Sequence, residues 1–175
     1  MDYFLLKSSA KVPLQPTLMD TKLYQYRLTQ EAYERLPQSE IFSFHHTEDI
    51  EIPELLLQPT FMVGDSLKQI ISLYDETVSW KSLYLMPDEE DKVVEGTKHY
   101  WIPNLSKVRC LHSETEMLPN GAVSKLILDK SCLRNVDIFQ VEETLENMVL
   151  VSLALAESIS RRHPYGVRLE RVEVR

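Results

Sequence analysis

The feature of this sequence that most constrains its fold is an internal repeat. Residues Phe61–Met86 open with an apolar run, continue with apolar residues at the i, i+3, i+4 and i+7 spacing of one helix face, and close with alternating apolar and polar residues. Residues Met148–Val174 repeat this order. The matching apolar helix positions are Leu67 with Leu155 and Ile71 with Ile159. The repeat therefore predicts the order strand, helix, strand twice, with these four side chains buried.

The rest of the chain predicts elements that surround the two copies. Tyr3–Leu6 is an apolar run typical of a strand, and Thr29–Leu36 has a helix N-cap residue at its start and Pro37 as its stop. Asn120-Gly121 predicts a hairpin turn. Two further strands are expected, at Leu126–Asp129 and Asp137–Val141.

These elements lead to a single fold class. A chain of 175 residues without a long linker is expected to form one domain. We expect an α+β domain that spans residues 1–175, with the two copies as two similar lobes. Its sheets should be mixed or antiparallel, with the two repeat helices packed against them.

Charge and cysteine content exclude several classes of protein. The 19 basic and 27 acidic side chains give a formal net charge of −8, which disfavours nucleic-acid binding and suits a basic protein partner or simple solubility. Cys110 and Cys132 have neither disulfide-framework nor zinc-site spacing. No signal peptide opens the sequence, and no apolar run approaches the ~20 residues that span a bilayer. We expect a cytoplasmic protein with no membrane partner and no cofactor.

Two local patterns raise the question of catalysis or metal binding. His45-His46 lies close to acidic residues, but adjacent side chains on an extended chain point to opposite faces, so we expect a solvated loop and no metal site. Gly64-Asp65-Ser66 resembles part of a nucleophile elbow, but the second glycine of that motif is replaced by Lys68. We expect Asp65 or Ser66 to cap the first repeat helix, with Ser152 in the equivalent place. Trp80 is expected in the core.

Two acidic segments are the candidate partner-binding residues. One is a turn after the first copy, and the other is a connection that precedes the second copy. We expect exposed carboxylates there to steer a basic partner by long-range attraction. The repeat suggests that the two segments lie near equivalent ends of the two lobes. The residues are Asp88, Glu89, Glu90 and Asp91 in the first segment, and Glu142, Glu143 and Glu146 in the second.

The sequence also resembles a family of bacterial immunity proteins that accompany polymorphic toxins and were long catalogued as a domain of unknown function. The segments that carry the resemblance are Tyr3–Leu6, Pro59–Leu67, Tyr100–Leu105, Val108–Leu111, Leu126–Asp129, Asp137–Phe139 and Gly166–Val172. The resemblance implies a non-enzymatic protein that binds and neutralises a cognate toxin, with no catalytic residues. The alternative is a small ligand-binding module or enzyme with a pocket between the two repeat lobes. A deep pocket with a histidine or paired carboxylates would favour the alternative, and a broad acidic or aromatic surface would favour the binding protein.

Overall fold

The computed structural model of the chain describes residues 2–9, 16–17, 28–45, 51–88, 97–133 and 136–175. Within these ranges no helix is both long and apolar enough to cross a membrane. The elements are β1 (Tyr3–Ser8), β2 (Pro16–Thr17), α1 (Gln30–Arg35), β3 (Ser39–Phe44), β4 (Leu55–Leu56), β5 (Met62–Gly64), α2 (Asp65–Ser72), β6 (Ser79–Pro87), β7 (Lys98–Asn104), β8 (Lys107–Val108), β9 (Glu116–Met117), β10 (Val123–Lys125), β11 (Ile127–Leu128), a short 3-10 helix (Lys130–Cys132), β12 (Ile138–Val141), β13 (Val149–Ser152), α3 (Leu153–Arg162) and β14 (Val167–Val174).

Two six-stranded sheets contain most of the strands. The sheet of the first lobe has the order β2-β3-β6-β7-β5-β4, and the sheet of the second lobe has the order β11-β14-β1-β13-β12-β8. Both sheets are mixed, because β3 and β6 are parallel, as are β11 and β14, whereas β6–β7 and β1–β14 are antiparallel. The expected α+β class with mixed sheets is confirmed.

The internal repeat is confirmed and is larger than the sequence indicated. The units β5-α2-β6 and β13-α3-β14 are the two strand–helix–strand copies. In the first lobe β7 lies between β6 and β5, and in the second lobe the N-terminal strand β1 lies between β14 and β13. The flanking strands β3 and β4 likewise correspond to β11 and β12, with the same relative directions. The N-terminal strand therefore completes the second copy of a five-stranded unit.

The two repeat helices meet in a shared core. Leu67 and Ile71 of α2 are fully buried, as are Leu155 and Ile159 of α3, and all four belong to one apolar cluster. The Tyr74 hydroxyl donates to the carbonyl oxygen of Ala154 at 3.1 Å, which places the end of α2 beside the start of α3. The predicted burial of the four side chains is confirmed. Trp80, expected in the core, is half-buried and packs against the same cluster.

A buried tyrosine occupies equivalent positions in the two lobes. The Tyr3 hydroxyl donates to the carbonyl oxygen of Val136 at 2.9 Å, just before β12. The Tyr100 hydroxyl donates in the same way to the carbonyl oxygen of Pro53, just before β4. Burial raises the pKa of both phenols above its ordinary value, so both remain protonated donors. The shared hydrogen bond identifies β1 and β7 as counterparts residue by residue.

The two helices begin differently. Ser152 is the N-cap of α3, where its hydroxyl accepts from the backbone N–H of Leu155 and donates to the Asp137 carboxylate. The N-cap of α2 is Gly64, with no side-chain cap, so the prediction of a cap at Asp65 or Ser66 is wrong, and the position equivalent to Ser152 is Gly64.

The carboxylate of Glu54 explains the glycine. A Cβ atom at residue 64 would collide with this carboxylate. The carboxylate also forms an ion pair with the Lys98 ammonium, at an N···O distance of 3.0 Å. The longer acid thus occupies the space that a serine side chain would need.

The smaller predicted elements also have clear outcomes. Helix α1 has Thr29 as its N-cap and ends before Pro37, as predicted. Strands β9 and β10 form the hairpin predicted at Asn120-Gly121, and Gly121 has a φ of 81°, which glycine adopts without strain. His45 is exposed, and His46 lies outside the described residues. Within the described ranges no group of three or more potential metal ligands occurs.

Candidate partner-binding surface

The first acidic segment is only partly described. Asp88 directly follows β6, is exposed, and has a carboxylate oxygen 3.1 Å from Nδ1 of His45 on the neighbouring strand. The remaining candidates of this segment, Glu89, Glu90 and Asp91, lie outside the described residues.

The second acidic segment makes ion-pair and hydrogen-bond contacts within the second lobe. Glu142 lies 3.2 Å from the Arg109 guanidinium, and the Glu143 carboxylate accepts from the backbone N–H groups of Cys110 and Leu111 at 3.3 and 3.5 Å. Glu146 is half-buried. Burial, followed by the Glu143 charge, raises the pKa of the Cys110 thiol to about 12, so this cysteine stays protonated. Two of the three predicted carboxylates therefore have structural contacts.

Asp88, the described residue of the first acidic segment, and the second acidic segment lie at opposite ends of equivalent sheets. Glu142–Glu146 connect β12 to β13, and the counterpart of this connection in the first lobe joins β4 to β5. Because β5 and β6 are both antiparallel to β7, that connection lies beside the start of β6. Asp88 follows the other end of β6. The expectation that the segments occupy equivalent ends is wrong, because a loop before a copy and a turn after a copy flank opposite ends of its strands.

The sheet of the first lobe has an exposed aromatic row that the sequence reasoning missed. Ile41, Tyr84 and His99 are direct neighbours on β3, β6 and β7 and therefore share one face of the sheet. Ile41 is 50% exposed and Tyr84 is 40% exposed. Two residues further along β7, Trp101 lies on the same face. We call these four residues the aromatic face.

His99 is at the centre of the aromatic face and has a neighbour on each side. Its ring stacks on Tyr84, with centroids 4.6 Å apart and an interplanar angle of 7°, and lies 4.3 Å from the Trp101 ring. Its Nε2 is 3.1 Å from the Ser82 hydroxyl, and its Nδ1 is 3.3 Å from a carboxylate oxygen of Asp65. The imidazole is thus fixed by two rings and two polar groups.

Helix α2 supplies the border of the aromatic face. The same Asp65 oxygen accepts from Nε1 of Trp101 at 2.7 Å, and the side chain of Asp65 remains 56% exposed. The Lys68 ammonium lies 3.3 Å from the centre of the Trp101 ring, a cation–π contact. Asp65 at the first position of α2 is also favoured by the helix dipole.

Ser82, His99 and Asp65 have the order of a hydrolytic triad but not its setting. A triad requires backbone N–H groups that can stabilise an oxyanion next to the nucleophile. Ser82 lies on β6, an inner strand paired on both sides, and its own N–H donates to the Gln38 carbonyl at 3.0 Å. The three side chains lie on an open sheet face, where water is not excluded. The contacts of Ser82 and Asp65 orient the His99 ring.

The second lobe has charged residues where the first has aromatic ones. Because Tyr3 and Tyr100 are counterparts, Asp2 corresponds to His99, and the β-strand registers match Arg171 with Ser82 and Glu173 with Tyr84. Arg171 pairs with Asp2 at 3.0 Å, and Glu173 pairs with Arg175 at 2.6 Å. Ile127, the counterpart of Ile41, is buried. The shared fold therefore does not require an aromatic residue at the Tyr84 position.

Besides an open groove of about 790 Å³ between α2 and Arg162 of α3, the lobes enclose a cavity that is too small for a substrate. It has a volume of about 20 Å³ and is lined by both lobes, with Tyr33, Lys107, Gln140 and Asn147 among its polar groups. Such a space accommodates about one water molecule, whereas ligand pockets measure roughly 300–1,000 Å³.

Comparison of the sequence with protein-family models finds no match, and comparison with curated proteins finds none either. The candidate surface is therefore defined by the geometry of this chain alone, and the aromatic face is its most distinctive feature.

Proposed function

We propose that this protein is a non-enzymatic, immunity-type protein that binds and neutralises a cognate bacterial toxin in the cytoplasm. The observation that carries the proposal is the aromatic face of the first lobe, which the second lobe replaces with ion pairs. The resemblance to polymorphic-toxin immunity proteins suggests that the partner is a toxin.

The aromatic face has the chemistry of a protein-binding centre. Aromatic side chains bury large areas at a small cost in side-chain entropy, and they dominate the binding energy of many protein interfaces. Tyr84 and Ile41 leave much of their apolar surface in water, and an isolated domain gains nothing from that exposure. His99, fixed between Tyr84 and Trp101, keeps the row rigid, so little ordering is needed when a partner binds.

The alternative, an enzyme or ligand-binding module with a pocket between the lobes, has less support. The enclosed cavity of about 20 Å³ cannot hold a substrate. The open groove of about 790 Å³ between α2 and Arg162 of α3 is large enough, but the described residues that line it include neither a histidine nor paired carboxylates. The arrangement of Ser82, His99 and Asp65 lies on an open face instead of in a recess. A flat aromatic surface favours a protein partner.

Co-expression with the toxin encoded beside the gene tests the proposal. We expect the wild-type chain to protect cells and to bind the purified, catalytically inactive toxin. The double variant Ile41→Ser, Tyr84→Ala should bind at least about tenfold more weakly, because it removes the two most exposed apolar side chains of the row.

A matched control uses the equivalent positions of the second lobe. Arg171→Ala with Glu173→Ala changes two side chains at the positions that correspond to Ser82 and Tyr84, and it should leave protection and affinity unchanged. Equal protection by both double variants, with equal affinities, would exclude the aromatic face as the toxin-binding surface.

A further inference from the structure

We propose that the aromatic face takes a basic protein surface whose cationic side chain pairs with Asp65, and that protonation of His99 weakens this pairing. The inference rests on the proposed function and specifies its partner and its pH dependence. The observations behind it are the charge of the chain, the exposure of Asp65 and the geometry around His99.

The charge of the chain favours a basic occupant over a second copy. Each chain has a formal net charge of −8, so two copies repel each other at long range, whereas a basic protein is attracted. Asp65 lies at the border of the aromatic face, and Asp88 follows the end of β6, the strand that carries Tyr84. Both aspartate side chains are more than 40% exposed. An apolar centre with a charged border is the common anatomy of a protein interface.

Asp65 is held in a fixed orientation and is still open to a partner. One carboxylate oxygen accepts from Nε1 of Trp101 at 2.7 Å, which anchors the group beside the aromatic row. More than half of the side chain remains in contact with water. The ammonium of Lys68 lies over the Trp101 ring, on the same helix. A cationic group of a partner can therefore reach Asp65 next to the apolar centre.

His99 is the one titratable group between Asp65 and the aromatic row among the described residues. In the neutral tautomer that has its proton on Nδ1, Nε2 accepts from the Ser82 hydroxyl at 3.1 Å, and Nδ1 lies 3.3 Å from a carboxylate oxygen of Asp65. When the imidazole is protonated, both nitrogens donate, and a positive charge lies 3.3 Å from the Asp65 oxygen. That charge offsets the attraction between Asp65 and a cationic partner.

The other groups that face His99 do not oppose this effect. Helix α2 contributes Asp65 and Lys68, β6 contributes Tyr84 and the neutral Ser82, and β3 contributes the uncharged Ile41. The positive charge of Lys68 is present in both protonation states of His99, so it lowers the attraction for a cation equally in both and does not cause the pH dependence. Histidine side chains in general change charge between pH 5 and 8, so measurements across that range test the effect.

The inference is tested by measuring how fast the inactive toxin associates with the wild type and with three variants. The variants are Asp65→Asn, His99→Gln and the control Glu173→Gln, which removes one exposed carboxylate from the second lobe. At low ionic strength and pH 7.5 we expect Asp65→Asn to lower the association rate constant about threefold to tenfold, and Glu173→Gln to leave it unchanged. In ~0.5 M salt the difference should nearly vanish.

Comparing the wild type with His99→Gln at two pH values separates the effect of His99 from the effects of titrating groups on the toxin. Between pH 7.5 and pH 5.5 the wild-type rate constant should fall by a similar factor, and the His99→Gln variant should lose that part of the decrease. Thermal unfolding checks that each variant is folded. Failure of the wild type to bind would remove the proposed function and this inference with it. If the wild type binds but Asp65→Asn has an unchanged association rate constant, the inference is wrong and the proposed function is unaffected. The same holds if His99→Gln keeps the pH dependence of the wild type.

Discussion

The two lobes share an arrangement of strands and differ on its exposed face. Both bury a tyrosine that donates to a carbonyl oxygen just before the corresponding strand, β12 or β4, and both bury matched leucine and isoleucine side chains on their helix. On the exposed part of the corresponding sheet face, the first lobe has Tyr84 and the second has Glu173 at the same position. Positions that agree in the two lobes are required by the fold. At positions that differ, the fold does not determine the residue. Tyr84 lies at such a position, and we assign it to binding.

The largest expected effect concerns the positions that agree. Ile71→Ala and Ile159→Ala should each lower the free energy of unfolding by about 2–5 kcal/mol, because both side chains lie in the packed cluster between the helices. Chemical denaturation measures the change. Leu73→Ala, at a position that is 71% exposed, should change stability by less than about 0.5 kcal/mol and serves as the control. A small effect at one isoleucine only would show that the two copies are not energetically equivalent.

An intermediate effect is expected where the lobes begin their helices. Gly64→Ser should lower the free energy of unfolding by about 1–3 kcal/mol, because the new side chain meets the Glu54 carboxylate. Adding Glu54→Asp should recover part of the loss, since it rebuilds the pairing of Ser152 with Asp137 in the first lobe. Thermal and chemical unfolding of the single and double variants measure the recovery. A double variant no more stable than Gly64→Ser would mean that the two helix starts are not interchangeable.

The smallest expected effect is a pH dependence of stability that arises in the second lobe and not in the first. The Lys7 ammonium donates to the Glu170 carboxylate at 2.9 Å and holds the pKa of Glu170 below its usual value. A carboxylate whose pKa is lower in the folded state stabilises the protein above its unfolded-state pKa, and this contribution is lost as the pH falls through the folded value.

The first lobe has Asn104 and Lys81 at the equivalent positions and thus lacks this pair. We therefore expect Lys7→Met to lower the free energy of unfolding slightly at pH 7, where the contribution of the pair is fully present. This difference from the wild type should shrink as the pH falls below about 4.5, the ordinary range of a glutamate, so the stability profile of the variant is flatter there. Unfolding free energies measured at several acidic pH values test this. A variant profile parallel to that of the wild type would exclude the contribution.

Local patterns predicted the parts of this fold that depend on local spacing. The helices of Leu67 and Leu155 follow from periodicity, and α1 follows from its cap at Thr29 and its stop at Pro37. The partner of the strand at Tyr3 could not be read in this way, because β1 pairs with residues at the other end of the sequence. Gly64 as an N-cap depends on Glu54, which is brought there by a neighbouring strand.

The candidate site was less predictable for a related reason. Alternation in β6 indicates that Tyr84 and Leu83 point to opposite faces, but not which face the helices cover. The acidic residues were visible in the sequence, yet the contacts of Glu142 and Glu143 appear only when distant backbone and side chains are placed. The aromatic face needs three strands in register, which no single stretch of sequence contains.

The pairing of β1 with β14 also governs when the protein can mature on the ribosome. Residues 3–8 are synthesised well before their neighbours on both sides, β13 (Val149–Ser152) and β14 (Val167–Val174). Contacts between such distant segments form slowly, and an unpaired strand is prone to aggregate while it waits. The strands of the first-lobe sheet lie within residues 39–104 apart from β2, so their pairing has no such delay, whereas α2 still has to pack on α3 of the second lobe. A nascent chain would therefore present its aromatic face before its second lobe has closed.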